Sequence, residues 1–362
     1  MKAAVLNDMK GSFDIENVQI DAPKGREVLV QVKASGLCHT DHYMAVNPFG
    51  FPLPALLGHE LAGVVSEIGP DVREFAVGDH VVGSTLGFCG HCDACLKGRT
   101  YLCEHTEETK RNDSQSQRVT SNGQPVTDVF GTSAFAEYSL LHESHLVKVP
   151  KELPFPQAAI LACGCVTGAG AVLNSADVRP GETIAVIGIG GVGLNVISGA
   201  KLTGALRIIA LDVQPKKEVL ARKFGATDFI NASACDPIEA VKHLTGSGVD
   251  HAFEAAGLKL TSEQAIKMVK PGGGVYFLGM HTPGLSMEID PVDLILRQVV
   301  VKGVLMGSTN AKIDIPMYAN LYLQGRFNLD DLVSKEINIS EINDAYKAMK
   351  NGDIVRCVIT SF

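Results

Sequence analysis

The stretch from Thr183 to Asp212, TIAVIGIGGVGLNVISGAKLTGALRIIALD, restricts what this chain can fold into more than any other. Ile184 to Ile187 reads as a buried strand, a glycine-rich turn follows, and an amphipathic helix runs on toward Leu202. A second strand, Ile208 to Leu211, ends on Asp212. A glycine triplet alone also occurs in ordinary turns; set between a strand and a helix, it reads as a dinucleotide-binding unit. Gly188 permits the tight bend, Gly190 lets the backbone approach a pyrophosphate, and Gly193 lets the helix pack close to the strand, with Gly191 and Val192 at the helix start. The helix N-terminus then turns free N–H groups and a positive dipole end toward the phosphates. Asp212 follows Gly193 by 19 residues, so its carboxylate stands at the tip of the second strand, where it accepts from ribose hydroxyls and repels a 2′-phosphate. The expected cofactor is therefore NAD. Lys216 and Lys217 admit two readings, a cofactor contact or solvated charge at a helix start.

With 362 residues the chain has room for two domains of the usual ~100–200 residues. A content of 46% hydrophobic and 20% charged residues is that of an ordinary globular protein. The formal charge of −8, with no basic cluster, excludes a nucleic-acid partner. The opening MKAAVLNDMKGSFDIE lacks the apolar core of a signal peptide, and no run of about 18 apolar residues stands out, so the expectation is a cytoplasmic protein without a membrane partner. Nine cysteines, four of them closely spaced, argue for metal ligation over disulfides in that setting.

Up to about residue 150 the chain reads as β-rich, with runs such as Val28 to Val32, Leu61 to Ile68 and His80 to Val82 between Gly and Pro turns. From about Pro156 strands alternate with helices. The expected strands are Thr183 to Ile187, Arg207 to Leu211, Phe229 to Ile230, Asp250 to Glu254, Val275 to Leu278 and Val299 to Val304. Helices are expected over Lys216 to Phe224, Ile238 to Leu244 and Ser262 to Val269. This is the pattern of an α/β, doubly wound parallel sheet beside a β-rich domain. After Leu305 one more helix, Ser340 to Lys350, and a last strand, Arg356 to Thr360, are expected to return to the first domain. The resulting division is 1–163, 164–304 and 305–362. Glu104 to Thr127, polar throughout, reads as a long exposed loop.

Cys89, Cys92, Cys95 and Cys103 form CxxCxxCx7C. Four thiolates at this spacing wrap one Zn²⁺ tetrahedrally and leave no open position, so the site reads as structural. Iron–sulfur clusters also use CxxCxxC, but their fourth cysteine precedes Pro, whereas Cys103 precedes Glu104. A second set of donors is scattered: Cys38, His39, Thr40 and Asp41 in GLCHTD, His59 and Glu60 in LGHELAG, and Cys163 in LACGCVTG. Taken singly, a buried cysteine or histidine is ordinarily core.

These motifs, with CGCVTGAGAV, GIGGVG and the closing VRCVIT, resemble in order and nearly end to end the zinc-dependent alcohol dehydrogenases of the medium-chain dehydrogenase/reductase superfamily. The resemblance implies a GroES-like catalytic domain joined to a Rossmann domain. It implies two Zn²⁺ per chain, one structural and one catalytic, with Cys38, His59 and Cys163 on the catalytic ion and the fourth position open to water or substrate. Asp41 would hold the second nitrogen of His59, Glu60 would stand behind the metal as a transient ligand, and Thr40 would take the alcohol proton toward the ribose. His39 and Arg356 would face the pyrophosphate, while Thr167 and Val192 would press on the nicotinamide.

Many relatives end the proton relay on a histidine five residues after the first zinc cysteine; here that position is Tyr43, a poor base at neutral pH with a pKa near ~10, and the histidine is His42. The relay then ends at water or on His42. Phe49, Thr85, Val129, Phe130, Met280 and Leu305 fall at substrate-lining positions. Thr85 stands where ethanol-active relatives carry a large aromatic, which implies room for a bulky or aromatic alcohol. A formaldehyde dehydrogenase using a thiol cosubstrate is the alternative enzyme. The run Glu104, His105, Thr106, Glu107, Glu108 lacks the arginine that glutathione-using relatives carry there. From another class, a zinc-ribbon binding module would account for the four cysteines alone. The apolar run Gln298 to Met306 would be an unpaired sheet edge; the family pairs that edge across a two-fold axis, which implies a homodimer, with a tetramer as the other assembly.

Overall fold

The computed structural model describes residues 1–112, 114–350 and 354–362. The chain forms two units, Met1–Cys163 with Asn310–Phe362, and Gly164–Thr309.

In the second unit six strands lie in the order Asp228–Asn231, Arg207–Asp212, Thr183–Ile187, Val249–Glu254, Val269–Phe277, Val300–Gly303. Every neighbouring pair is parallel. The central strands are continuous apolar runs because helices cover both faces: Ile184, Ala185, Val186, Ile209 and Ala252 are fully buried. This is a doubly wound sheet whose order reverses beside the strand Thr183–Ile187, the position that leaves a crevice at the strand ends. The helices expected over 216–224, 238–244 and 262–269 occur as Glu218–Phe224, Pro237–Thr245 and Lys259–Met268. Asp236 caps the second of these by accepting from Ile238 N and Glu239 N. The unit runs to Thr309, past the expected end at 304. Residues 306–309 turn back onto the helix at 166–174, where Thr309 Oγ1 donates to the Val166 carbonyl and Asn174 Nδ2 to that of Gly307.

The first unit is built on a sheet in the order Leu146–Lys148, His80–Gly83, Glu60–Ile68, Glu27–Gly36, Cys357–Ser361, Lys335–Asn338, with Tyr138–His142 also paired to Glu27–Gly36. The C-terminal strand reaches this sheet by pairing Val358 with Gly36. The tail holds more than expected. The helix Ala311–Leu323 precedes the helix Ile342–Lys350, and Lys335–Asn338 is a further strand. The first of these is not evident in the sequence because Pro316 lies inside it and its apolar residues are not confined to one stripe.

The segment 104–127 is not simply an exposed loop; Asp113 lies outside the described residues. It contains the short strands Val119–Ser121 and Gln124–Pro125, and two arginines tie it inward. Arg111 donates from Nη2 and Arg118 from Nε to the buried carboxylate of Glu27, at 2.5 and 2.8 Å. Arg118 also donates to the Thr109 carbonyl and to Asp128. One helical run, Phe155–Ala176, is long and apolar enough to cross a membrane, contrary to the reading that no such run exists, but most of it is buried within the protein, as in a core helix.

Candidate functional site

Three separate segments of the first unit bring the scattered donors together. Cys38 precedes the helix His39–Val46 as its N-cap. Glu60 opens the strand Glu60–Ile68 opposite Gly36, with His59 immediately before it. Cys163 lies in a π-helical stretch, Leu161–Cys165, an irregularity that re-aims side chains and recurs at functional sites. Ligand atoms of Cys38, His59, Glu60 and Cys163 all lie within 4.8 Å of one another, and all four residues are buried. The two sulfurs are 3.9 Å apart.

His59 Nδ1 lies 2.9 Å from Asp41 Oδ1, which also accepts from Gly58 N at 3.1 Å. With Nδ1–H donated to Asp41, Nε2 is left as a lone-pair donor among the sulfurs. Burial opposes charge on His59, but Asp41 and Cys38 outweigh it and hold the imidazole pKa well above its ordinary value. The site thus attracts positive charge, and a bound cation would take the place of that proton. The contact with Cys163, with Arg356 and His59 nearby, holds the Cys38 thiol well below its usual pKa. Burial pushes Glu60 up to about 7 against the pull of Arg356. Arg356 Nη2 is 3.0 Å from Glu60 Oε1, yet neither Glu60 oxygen has a hydrogen bond. Two thiols, an oriented imidazole and a carboxylate, all buried, form a donor set suited to Zn²⁺.

Cys89, Cys92, Cys95 and Cys103 likewise converge within 4.8 Å. The backbone favours thiolates there: Cys89 N donates to Cys103 Sγ at 3.3 Å and Cys92 N to Cys89 Sγ at 3.4 Å. The Glu104 amide is the main cause that lowers Cys92 to about 6, while burial raises Cys95 to about 12. A closed all-sulfur set of this kind also fits Zn²⁺.

In the second unit Gly188 has φ +92°, a conformation that favours glycine, and a Cβ on Gly193 would stand 2.0 Å from the Gly188 carbonyl, so both turn glycines are sterically required. The helix Gly191–Thr203 starts at Gly190 with no side-chain cap, which leaves its first amides to an anionic ligand. Asp212 is buried at the strand tip. Its Oδ2 accepts from Ile189 N at 2.8 Å and from Lys217 Nζ at 2.9 Å, and its Oδ1 from Gln214 N at 2.9 Å. The acid therefore also shapes the glycine turn, and Lys217, one of the expected cofactor contacts, is paired with it. Thr167 Oγ1 contacts Met306 Sδ at 3.6 Å, and Val192 lies in the first turn of the helix.

The other expected residues distribute as follows. His39 is exposed and Thr40 half-buried on the helix after Cys38. Arg356 is buried, donating from Nη1 to the Leu37 carbonyl and facing Glu60. His42, half-buried, stacks on Tyr346 at 5.2 Å with its Nδ1 buried and unbonded. Burial, then Lys350, lowers its pKa. Tyr43 meets the exposed Phe49 edge-on at 5.7 Å. The Phe130 ring lies 4.9 Å from that of His59, Val129 is buried and Thr85 half-buried. Met280 and Leu305 are exposed on the second unit. Sequence reasoning missed Glu27, Arg118, Asp128 and Ser133, whose only signal is polar character at positions that prove to be buried or half-buried.

The first unit carries a nitrogen–sulfur donor set suited to a metal, and the second a dinucleotide-binding turn. Residues 24–151 match the alcohol dehydrogenase GroES-like domain, and residues 191–323 match the zinc-binding dehydrogenase domain. The chain is 36% identical over 365 residues to the probable S-(hydroxymethyl)glutathione dehydrogenase 1 of Schizosaccharomyces pombe, covering 99% of this chain and 96% of that protein. It is similar in structure to the benzyl alcohol dehydrogenase of Acinetobacter calcoaceticus, with a TM-score of 0.94, 36% identity, and 100% of this chain and 99% of that one covered. A zinc-binding dehydrogenase from Sinorhizobium meliloti 1021, solved bound to NADP, gives a TM-score of 0.80 at 29% identity, covering 99% and 98% of the two chains. The chain belongs to the zinc-dependent alcohol dehydrogenase family of the medium-chain dehydrogenase/reductase superfamily. It is an oxidoreductase of the kind that uses zinc and a nicotinamide coenzyme.

Proposed function

We propose that this chain oxidises a bulky or aromatic alcohol, primary or secondary, reversibly and with NAD. The observation that carries the reading is the buried convergence of Cys38, His59 and Cys163 with Glu60. Cys38, His59 and Cys163 would hold the catalytic zinc, and Cys89, Cys92, Cys95 and Cys103 a structural one. Bound there, zinc supplies Lewis acidity that eases deprotonation of an alcohol. NAD supplies the hydride acceptor.

The chain's own residues do the positioning. Asp41 keeps His59 in one tautomer and one orientation. Thr40, half-buried two residues after Cys38, takes the alcohol proton. Glu60, paired with Arg356 behind the donor set, is the carboxylate that would approach the metal as a transient ligand. Asp212 supports NAD over NADP, since a 2′-phosphate would meet its buried carboxylate. Lys217 already partly neutralises that charge, so the preference rests on geometry as well as on sign.

A panel of kcat/KM values settles substrate and coenzyme together. Ethanol, benzyl alcohol, cinnamyl alcohol, a secondary alcohol and S-(hydroxymethyl)glutathione would each be measured with NAD and with NADP. The larger free alcohols with NAD are expected to lead. Discrimination from vacated apolar volume is roughly 10 to 200-fold per methylene-sized difference, so ethanol as the best substrate would overturn the roomy pocket at Thr85. The best rate on the glutathione adduct would favour the thiol-dependent reading, against which stand Glu104, Glu107 and Glu108 after the last lobe cysteine. Faster turnover with NADP would refute the role given to Asp212.

The strand Val300–Gly303 is the sheet edge, and Ile295, Leu296 and Val300 beside it are exposed. An apolar edge of this kind associates when left open. A homodimer paired along it is the expected assembly, and a monomeric mass in light scattering would contradict it.

A further inference from the structure

Phe130 reaches His59 from a backbone that few side chains tolerate. Phe130, Gly131 and Ser133 all have positive φ, at +68°, +71° and +42°. Left-handed conformations at two non-glycine residues within four positions persist only when the surroundings impose them, and they concentrate at functional sites. The surroundings here are explicit. Ser133 Oγ donates to Asp128 Oδ1 at 2.5 Å, closing the turn on itself. Thr132 Oγ1 and Ala134 N both donate to the Gly58 carbonyl, at 2.9 and 3.0 Å, and Val129 N donates to that of Leu56 at 3.2 Å. Ser139 Oγ donates to the Thr132 carbonyl. On the outer side Arg118 Nη1 donates to Asp128 Oδ2 at 3.3 Å, while its Nε is held by Glu27.

The turn is thus fastened along residues 56–58, directly before His59, and Gly58 donates its amide to the same Asp41 oxygen that orients His59. One hydrogen-bonded frame fixes both the donor imidazole and the Phe130 ring 4.9 Å from it.

We infer that Asp128 and Ser133 form a latch that positions Phe130, with Arg118 anchoring it to the segment 104–127, and that this latch sets how the enzyme ranks alcohols by size. The inference rests on the proposed reading, in which Phe130 walls the substrate pocket beside the metal. Neither residue touches substrate; both act through the backbone of Phe130. Opening the latch removes the bond that closes the turn at Ser133 while the Gly58 and Leu56 bonds remain, so the ring gains freedom to move from His59. An aromatic alcohol then loses a wall, whereas ethanol is too short to have used it.

The test compares Ser133→Ala, Asp128→Ala and Asp128→Asn in the zinc-loaded full-length enzyme. Ser133→Ala deletes one oxygen and keeps the backbone demand, and Asp128→Asn keeps an acceptor for Ser133. Ser133→Ala and Asp128→Ala are expected to raise KM for benzyl alcohol about 10-fold, with kcat and the KM for ethanol within about 2-fold of wild type. Zinc content should be unchanged, and Asp128→Asn should restore most of the benzyl alcohol KM. If Ser133→Ala lowers kcat/KM for both alcohols equally, or moves neither, the latch has no role in ranking substrates and the inference fails. If Asp128→Ala does not fold, Ser133→Ala alone decides. Failure of the underlying reading looks different, because the wild-type enzyme would then oxidise neither alcohol.

Discussion

Replacing Cys163 by alanine is expected to remove one of two zinc ions per chain and to lower kcat/KM for the best alcohol by about 10³-fold or more. The magnitude follows from losing a Lewis acid that contributes several kcal/mol to the reaction barrier, at 1.36 kcal/mol per factor of ten. The fold should survive. Cys163 is one small side chain in a helix whose neighbours Ala159, Ile160, Leu161, Ala162 and Cys165 are buried apolar residues, so alanine vacates little more than one sulfur. Elemental analysis, thermal unfolding and steady-state kinetics on the same preparation check all three statements. Wild-type turnover in Cys163→Ala, or two zinc ions retained, would remove Cys163 from the ligand set. The tertiary environment predicts that His59→Ala is the more severe of the two changes, because it also leaves the buried Asp41 carboxylate with only the Gly58 amide as partner.

Replacing Cys95 should act through stability. The lobe cysteines converge on one another, apart from the Cys38, His59 and Cys163 group. A closed structural site contributes folding free energy outright, typically ~10 kcal/mol or more for isolated zinc-binding peptides. Part of that is lost in Cys95→Ala even if three sulfurs keep some affinity. A fall in thermal midpoint of roughly 10 °C is expected, corresponding to several kcal/mol at ~2–4 °C per kcal/mol for a domain of about 150–250 residues, the range of the unit that holds the lobe. Soluble yield should fall with it, while the folded fraction keeps the wild-type KM and its catalytic zinc. A Cys95→Ala protein as stable as wild type would show that the lobe holds no structural metal. Loss of KM and kcat without loss of stability would mean that the two donor groups act as one site.

Features carried by contiguous residues are legible in the amino-acid sequence by itself. The strand Thr183–Ile187, the turn at Gly188 to Gly193 and the acid at Asp212 follow from local periodicity and from the steric demands of a turn, as does the four-cysteine lobe from its spacing. The buried donor set around Cys38 is not legible in that way. Cys38, His59 and Cys163 meet only because a strand end, a strand start and a distant helix converge, and in the sequence only family resemblance groups them.

What the tertiary structure alone decided concerns which charges are buried and against what. Glu27 finds Arg111 and Arg118 84 and 91 residues away, so a polar stretch that reads as exposed loop is tied into the unit and reaches the turn under Phe130. The pairing of Lys217 with Asp212 and of Arg356 with Glu60 is likewise visible only in the fold. The helix Ala311–Leu323 hides behind Pro316 and an apolar distribution without a single stripe. In each case but the helix the deciding quantity is the desolvation of a particular group by residues brought to it by the fold. Sequence spacing encodes helix faces and turn geometry, which depend on neighbours. It does not encode the partner that a buried charge must find, because that partner is chosen by the path of the whole backbone.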